Sequence, residues 1–117
     1  MKMLLIDDEQ EICLLLQAIL ARQGVASSSV HSLEEARQSM KLGKFDGVFL
    51  DVNLPDGKGY LLIPELKATF PHIRVIVISA MDQERAGAMN AGADLFLPKP
   101  LDLRTILGSL KDVGIVN

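Results

Sequence analysis

A chain of 117 residues fits one domain, and we expect residues 1–117 to form a single one. Apolar residues make up 49% of the chain and fall in short blocks, which is typical of a globular rather than a disordered protein. The net charge of −3 and the absence of any Lys/Arg cluster exclude a surface for nucleic-acid backbones, so we expect no direct binding of nucleic acid by this chain.

The N-terminal segment contains the first predicted strand, over Met3–Ile6. This apolar run is too short for a signal peptide, and no later stretch approaches the length that spans a membrane. A helix is predicted next, over Glu9–Gln23, and Cys13 within it is typical of a small buried hydrophobe that needs a reducing compartment. We therefore expect a cytoplasmic protein with no membrane contact. The apolar residues of this helix recur at helical spacing: Ile12, Leu15, Leu16, Ile19 and Leu20.

Four more pairs of strand and helix follow. The second strand is predicted over Val25–Val30, and its helix begins at Ser32, with Glu35 as capping-box partner, and ends at Gly43. The strand runs are mostly continuous rather than alternating, which is typical of strands buried on both faces of a parallel sheet. The remaining strands are predicted at Gly47–Leu50, Arg74–Ile78 and Asp94–Leu97, and the remaining helices at Gly59–Thr69, Asp82–Ala91 and from Asp102 toward Val113.

This order of elements is a (βα) unit repeated five times. Strands that alternate with helices require a parallel sheet with right-handed crossovers and helices on both faces. The sequence therefore predicts a doubly wound α/β fold with a five-stranded parallel sheet.

Polar residues stand at the carboxyl ends of four predicted strands. Asp7 and Asp8 follow the first strand, Asp51 the third and Ser79 the fourth, and Lys99 comes shortly after the fifth. Ligands of such sheets bind outside the carboxyl ends of the strands, so these side chains should converge. Taken singly, each is equally well a turn, cap or surface residue. Their shared position at one edge of the sheet favours a functional site.

Three converging carboxylates would repel one another unless a cation neutralised them. The all-oxygen set favours Mg²⁺ over zinc, which prefers His and Cys ligands. With Mg²⁺ and Lys99 drawing charge from a phosphoryl group, one carboxylate can attack phosphorus. Asp51 is the best candidate because it stands alone after the central run Gly47–Leu50, whereas the adjacent Asp7 and Asp8 suit the metal.

The sequence resembles the receiver domains of response regulators over essentially its whole length. The resemblance implies a flavodoxin-like fold with strand order 2-1-3-4-5. It also implies that Asp51 takes a phosphoryl group from the phosphohistidine of a histidine kinase, which switches the affinity of the domain for a partner. Four motifs carry the resemblance: IDDE at 6–9, DVNLPDGKG at 51–59, ISA at 78–80 and AGADLFLPKP at 91–100.

The resemblance further implies how this site holds Mg²⁺. Asp8 and Asp51 would bind the ion directly, Asp7 would bind it through water, and the backbone carbonyl of Asn53 would complete the protein ligands.

The resemblance assigns the remaining residues to the phosphoryl group and the switch. Lys99 would pair with the phosphoryl group, and its peptide bond to Pro100 would be cis. Ser79 would hydrogen-bond a phosphoryl oxygen, and Phe96 would be the aromatic residue that turns inward when Ser79 moves. The alternative role for Phe96 is packing in the hydrophobic core.

The partners that the resemblance implies are a histidine kinase or phosphotransfer protein and a downstream protein or output domain. It leaves open a phosphorylation-dependent homodimer. The activity is that of a signalling switch rather than a turnover enzyme. We expect a receiver that either stands alone or is excised from a longer regulator.

Three features depart from the pattern of the family. The segment from Ser79 to Lys99 is slightly short, and Gly87 within it weakens helicity, so the fourth helix should be short or mobile. Pro64 predicts that the third helix starts late or kinks. Met81 stands where the family often has a polar residue, and because a thioether cannot position water, it predicts slow self-dephosphorylation.

Two other classes of function remain alternatives. A Mg²⁺-dependent phosphatase or a nucleotide-binding protein would need an Asp-x-Asp pair or a Gly-rich loop after the first strand, and neither is present. A degenerate receiver that only docks partners, without phosphorylation, would have the same sequence pattern. His31 and His72 are isolated in the sequence, lie outside the polar strand ends described above, and are interpreted as surface or loop residues.

Overall fold

The computed structural model describes residues 1–117, and its centre is a five-stranded parallel sheet. The order across the sheet is 2-1-3-4-5, with parallel pairing between all neighbours, so the predicted α/β fold and strand order are confirmed. The strands are β1 (Lys2–Ile6), β2 (Ala26–Val30), β3 (Gly47–Asp51), β4 (Arg74–Ser79) and β5 (Leu95–Pro98).

Five α-helices connect and cover the strands. None of them is long and apolar enough to cross a bilayer. Short 3₁₀ turns at Gly59–Leu62 and Asp82–Glu84 precede the third and fourth helices, and Asn53–Leu54 pairs with Gly57–Lys58 in a small antiparallel hairpin. The helices are α1 (Gln10–Arg22), α2 (Leu33–Leu42), α3 (Ile63–Thr69), α4 (Arg85–Ala91) and α5 (Leu103–Asp112).

The core has two halves, one on each face of the sheet. Successive strand residues point to opposite faces, so each continuous apolar run supplies both halves. In β3, Val48 and Leu50 join the cluster formed with α2, α3 and α4, whereas Phe49 joins the cluster formed with α1 and α5. The helices therefore cover both faces, and the carboxyl edge of the sheet is left open for a site.

The predicted bounds were wrong by one residue in all five strands. β1, β3, β4 and β5 each extend one residue further than predicted, to Lys2, Asp51, Ser79 and Pro98. β2 begins at Ala26 rather than Val25, and its side chains are only partly buried because it is an edge strand with β1 as its only neighbour. β5 begins at Leu95 rather than Asp94, whose carboxylate accepts hydrogen bonds from Val75 N and Lys67 Nζ, both at 2.8 Å.

The predicted apolar stripe of α1 was too wide. Leu16, Ile19 and Leu20 are buried as expected, together with Cys13, but Leu15 is 39% exposed. At about 100° per residue, Leu15 lies about 100° from Leu16 on the side opposite to Leu20, which places it at the edge of the buried face. Leu15 therefore adds little to the core.

The remaining helix predictions agree with the structure except for the capping box of α2. The α-helical part of α3 starts late, at Ile63, and Pro64 lies in its first turn, where a backbone N–H is not needed. α4 has only seven residues, as the short segment predicted. Ser32 Oγ caps α2 by accepting from Glu35 N at 3.1 Å, although the Glu35 carboxylate accepts from His31 N instead of completing the capping box.

Gly59 lies against the backbone of Asp51. A Cβ atom on Gly59 would collide with the Asp51 carbonyl oxygen, and Gly59 N already donates to Val52 O at 2.6 Å. We therefore expect Gly59→Ala to lower the free energy of unfolding by roughly 2 to 3 kcal/mol, measured by urea denaturation. As a control, Gly108→Ala in α5 meets open space and should raise that free energy by up to about 1 kcal/mol. Equal stability of Gly59→Ala and the wild type would contradict the predicted collision.

Candidate functional site

The sheet itself positions the functional side chains. Asp51 and Ser79 are the last residues of β3 and β4, whereas Asp7 and Lys99 directly follow β1 and β5. Backbone hydrogen bonds continue past the strands, from Asp7 N to Val30 O at 3.1 Å and from Lys99 N to Ser79 O at 2.8 Å. Beyond Asp51, Val52 N donates to Ile78 O at 3.3 Å, so all four backbones are held at the carboxyl edge of the sheet.

The three predicted acidic residues come together at this edge. One carboxylate oxygen from each of Asp7, Asp8 and Asp51 lies within 4.8 Å of the others. Asp7 and Asp51 are buried, with 1% and 4% of their surface exposed, while Asp8 faces solvent. An open cleft at this point is lined by Asp8, Glu9, Asp51, Asn53, Ala80 and Lys99.

The Lys99 side chain lies among these carboxylates and is 11% exposed. Its Nζ lies 2.7 Å from Glu9 Oε1, 3.2 Å from Asp7 Oδ2 and 3.6 Å from Asp51 Oδ1. Burial acts to lower the pKa of Lys99, but the hydrogen bond to Glu9 and the charges of Asp51 and Asp7 outweigh it and raise the pKa. The ammonium group therefore stays charged. The Lys99–Pro100 peptide bond is cis.

One lysine does not neutralise the acidic cluster. Burial, followed by the charge of Asp7, raises the pKa of Asp51 to about 6, against the attraction of Lys99. Burial also raises the pKa of Asp7, although the backbone N–H of Glu9 and the charge of Lys99 oppose the shift. Both carboxyls therefore hold a proton more readily than an exposed aspartate does.

The donor set fits a divalent cation. Asp7 Oδ1 accepts from Glu9 N at 2.8 Å, whereas the buried Asp7 Oδ2 has only its ion pair with Lys99 Nζ, at 3.2 Å. This carboxylate oxygen and the two neighbouring carboxylates offer hard oxygen ligands with charge to neutralise. Asp7, Asp8 and Asp51 could therefore hold a divalent cation.

Ser79 and Phe96 are both buried beside this site. Ser79 Oγ accepts from Met81 N at 3.0 Å and lies 3.4 Å from Met81 O, so the hydroxyl is engaged within its own loop. Phe96 is 6% exposed and belongs to the core, with the Arg85 guanidinium 4.6 Å from its ring centroid. A switch role for either residue stays a prediction.

Three charged or polar contacts at the site were missed in the sequence. Lys58 Nζ donates to Asn53 Oδ1 at 2.8 Å and pairs with Glu84 Oε1 at 3.1 Å, which links the loop after β3 to the turn before α4. Glu9, which pairs with Lys99, belongs to the motif at 6–9 and could have been found there. The Lys58–Glu84 pair has no local sequence signal, because 26 positions separate its members.

The interpretation of His31 as a residue outside the strand ends was wrong. His31 directly follows β2, and its Nδ1 lies 2.9 Å from the backbone carbonyl oxygen of Asp7, to which it donates. The buried Cys13 Sγ contacts the same oxygen at 3.5 Å, in agreement with the predicted burial of this thiol. Both side chains thus support the backbone of Asp7. Attention to the residue after each strand would have identified His31.

Comparisons with known proteins agree with this geometry. The family model of the response regulator receiver domain matches residues 3–111. The response regulator protein PilR of Pseudomonas aeruginosa is 36% identical over 104 residues, which cover 87% of this chain but only 23% of PilR.

Two solved structures have nearly the same backbone. A two-component response regulator from Clostridium difficile has a TM-score of 0.90 and 28% identity, covering 97% of this chain and 95% of that chain. A response regulator from Burkholderia pseudomallei, solved with a phosphorylated aspartic acid, a calcium ion and citrate, has a TM-score of 0.86 and 28% identity. That match covers 97% of this chain and 69% of that chain. With the family model matched over nearly its whole length, this chain belongs to the response regulator receiver domains.

Proposed function

We propose that this chain is the phosphoryl-accepting switch of a two-component system and that Asp51 is its acceptor. One observation carries the proposal: Asp51 ends the central strand as a buried carboxylate, 3.6 Å from Lys99 Nζ and close to Asp7 and Asp8. This arrangement combines a nucleophile, a fixed ammonium group and a cation site, which are the parts that phosphoryl transfer requires.

Mg²⁺ is the cation that we propose for this site. Asp8 and Asp51 would bind it directly, Asp7 would bind it through water, and the Asn53 backbone carbonyl would complete the protein ligands. Mg²⁺ favours a small number of carboxylates together with water and phosphate oxygens, and this set of two buried carboxylates and one exposed carboxylate allows that. When bound, the cation would reduce the repulsion between the Asp51 carboxylate and the incoming phosphoryl oxygens.

The residues of the chain would divide the transfer among them. A carboxylate oxygen of Asp51 forms a bond to phosphorus while the bond from phosphorus to the donor nitrogen breaks, and the donor histidine leaves with that electron pair. Lys99 would pair with a phosphoryl oxygen. Ser79 would give up its contact with Met81 and hydrogen-bond another phosphoryl oxygen. Phe96 would be the aromatic residue that turns inward when Ser79 moves.

We further propose the setting in which this switch works. The phosphodonor would be a histidine kinase or a phosphotransfer protein, and the modified domain would change its affinity for a downstream protein, an output domain or a second copy. These partners are proposals, because the chain spans less than a quarter of PilR. We regard the protein as a signalling switch rather than an enzyme and assign it to the reducing cytoplasm, where Cys13 would stay a free thiol.

The direct test is the intact mass of the protein after incubation with acetyl phosphate, with and without Mg²⁺. We expect the wild type to gain one phosphoryl group only with Mg²⁺, and Asp51→Asn to gain none. Asp112→Asn is a matched control, because Asp112 is an exposed carboxylate at the end of α5 and should leave the gain unchanged. A wild type that never gains mass would contradict the proposal and favour a docking module that works without phosphorylation.

Met81 should make the phosphorylated form long-lived. Met81 follows Ser79 by two residues and is 43% exposed, and its thioether cannot orient a water molecule for attack on the acyl phosphate. We expect Met81→Glu to shorten the half-life several-fold, measured as the loss of the added mass after the donor is removed. Met89→Glu, which changes an equally exposed methionine in α4, is the control. An unchanged half-life in Met81→Glu would contradict this role.

A further inference from the structure

Asp56 connects the loop after the acceptor strand to a distant helix. It lies in the turn between Asn53–Leu54 and Gly57–Lys58. Its Oδ1 accepts a hydrogen bond from Leu33 N at 2.9 Å, and its Oδ2 accepts one from Glu34 N at 3.0 Å. Both carboxylate oxygens of one loop residue are thus bonded to the first turn of α2.

These two N–H groups have no acceptor within α2 because they lie in its first turn. The first N–H groups of a helix have no acceptor within it. Ser32 Oγ accepts from Glu35 N, and Ser32 O accepts from Ala36 N. The N–H groups of Leu33 and Glu34 therefore need an acceptor from outside the helix. The bond from Leu33 N is also the main cause that lowers the pKa of Asp56, which keeps the carboxylate ionised. Asp56 therefore completes the cap of α2 from outside.

Close contacts of two glycines hold the same loop on both sides. Gly57 has a φ of +148°, and a Cβ there would lie 2.9 Å from Leu33 Cδ1, so the turn sits directly on the start of α2. Gly59 packs on the carbonyl of Asp51 and donates to Val52 O. The segment 52–59 is therefore held between α2 and β3.

We propose that Asp56 is a positioning residue for the cation site. By fixing segment 52–59 to α2, it would keep the backbone of Asn53 beside the Asp51 carboxylate before any cation arrives. A preset loop saves the cost of ordering when a ligand binds, so its loss should weaken binding without removing a ligand. This inference rests on the proposed function, because it assumes that Asn53 and Asp51 are ligands.

The test compares Mg²⁺ affinity by calorimetry in the full chain. We expect Asp56→Ala to weaken Mg²⁺ binding by about tenfold, as is typical for residues that support metal ligands, and Asp56→Asn to have an intermediate effect. Ser32→Ala is the matched control, because it removes the other side-chain cap of α2 and leaves the loop attached. Its Mg²⁺ affinity should equal that of the wild type.

Hydrogen exchange of the metal-free protein supplies a second readout. We expect the amides of segment 52–59 to exchange faster in Asp56→Ala than in Ser32→Ala, whereas both variants should loosen the start of α2. Unchanged exchange in this segment, or equal Mg²⁺ weakening in both variants, would overturn the positioning role. A wild type that binds no Mg²⁺ would overturn the proposed cation site instead, and the exchange comparison would still decide whether Asp56 holds the loop.

Discussion

Asp51→Asn is expected to make the metal-free protein more stable than the wild type, by about 2 to 3 kcal/mol near neutral pH. Burial and the charge of Asp7 raise the pKa of Asp51 from 3.8 to about 6, so the folded state binds its proton more tightly than the unfolded state does. An ionised Asp51 therefore costs folding free energy. A neutral amide of nearly the same shape removes that cost and also relieves Asp7.

The pH dependence of this difference follows from the sign of the shift. Below about pH 4 the carboxyl is protonated in both states, and the two proteins should unfold alike. The advantage of Asp51→Asn should grow as the pH rises from about 4 to about 6 and stay constant above that. Urea denaturation in EDTA over this range measures it, with Asp112→Asn as the exposed control.

Mg²⁺ should reverse much of the effect. The cation binds the wild type more tightly than the variant, so its addition should stabilise the wild type more and narrow the gap. A variant that is less stable than the wild type in EDTA at every pH would contradict the view that Asp51 is under electrostatic strain.

Lys99→Met is expected to destabilise the metal-free protein by about 3 kcal/mol near neutral pH. Met retains an apolar chain of similar length, but the buried carboxylates of Asp7 and Asp51 lose the one ammonium group between them. Removing one partner from a buried charge cluster leaves uncompensated charge in a poorly solvated place. Thermal and urea denaturation in EDTA measure the change, and Lys44→Met is the control at an exposed lysine.

Two further comparisons test the cause of that loss. The deficit of Lys99→Met should shrink as the pH falls toward about 6, because loss of the Lys99 charge raises the pKa of Asp51 further and the variant then takes up a proton on Asp51 before the wild type does. In the double variant with Asp51→Asn, most of the stability should return, so the two changes would not be additive. A deficit that is the same at every pH and in both backgrounds would instead indicate lost packing of the lysine chain.

The sequence was most informative for strands that are buried on both faces, because such strands consist of a continuous apolar run. β1, β3 and β4 were predicted within two residues at each end, and the polar residues after them located the site. β2 was less clear, because an edge strand with three serines has no such run. Leu15 was misplaced since periodicity gives the direction of an apolar face but not how wide the contact with the sheet is.

Long-range polar contacts were outside the reach of the sequence. Asp56 and Lys58 stand in a motif rich in turn residues, where each is explained by local turn chemistry. Their partners, Leu33 and Glu84, lie 23 and 26 positions away, and only the packing of α2 and the turn before α4 brings them near. Predicting such pairs requires the tertiary structure, whereas predicting which residues meet at the strand ends requires only the order of strands and helices.

The environment of Cys13 determines which labels the protein will accept. Burial, followed by the charge of Asp7, raises the pKa of this thiol to about 11, and only 2% of the residue is exposed. Thiol reagents attack the thiolate, so Cys13 should stay unmodified near neutral pH. A cysteine introduced at exposed Met89 in α4 could then carry a dye without prior removal of the native one. The native chain thus serves as its own blank for fluorescence experiments on α4.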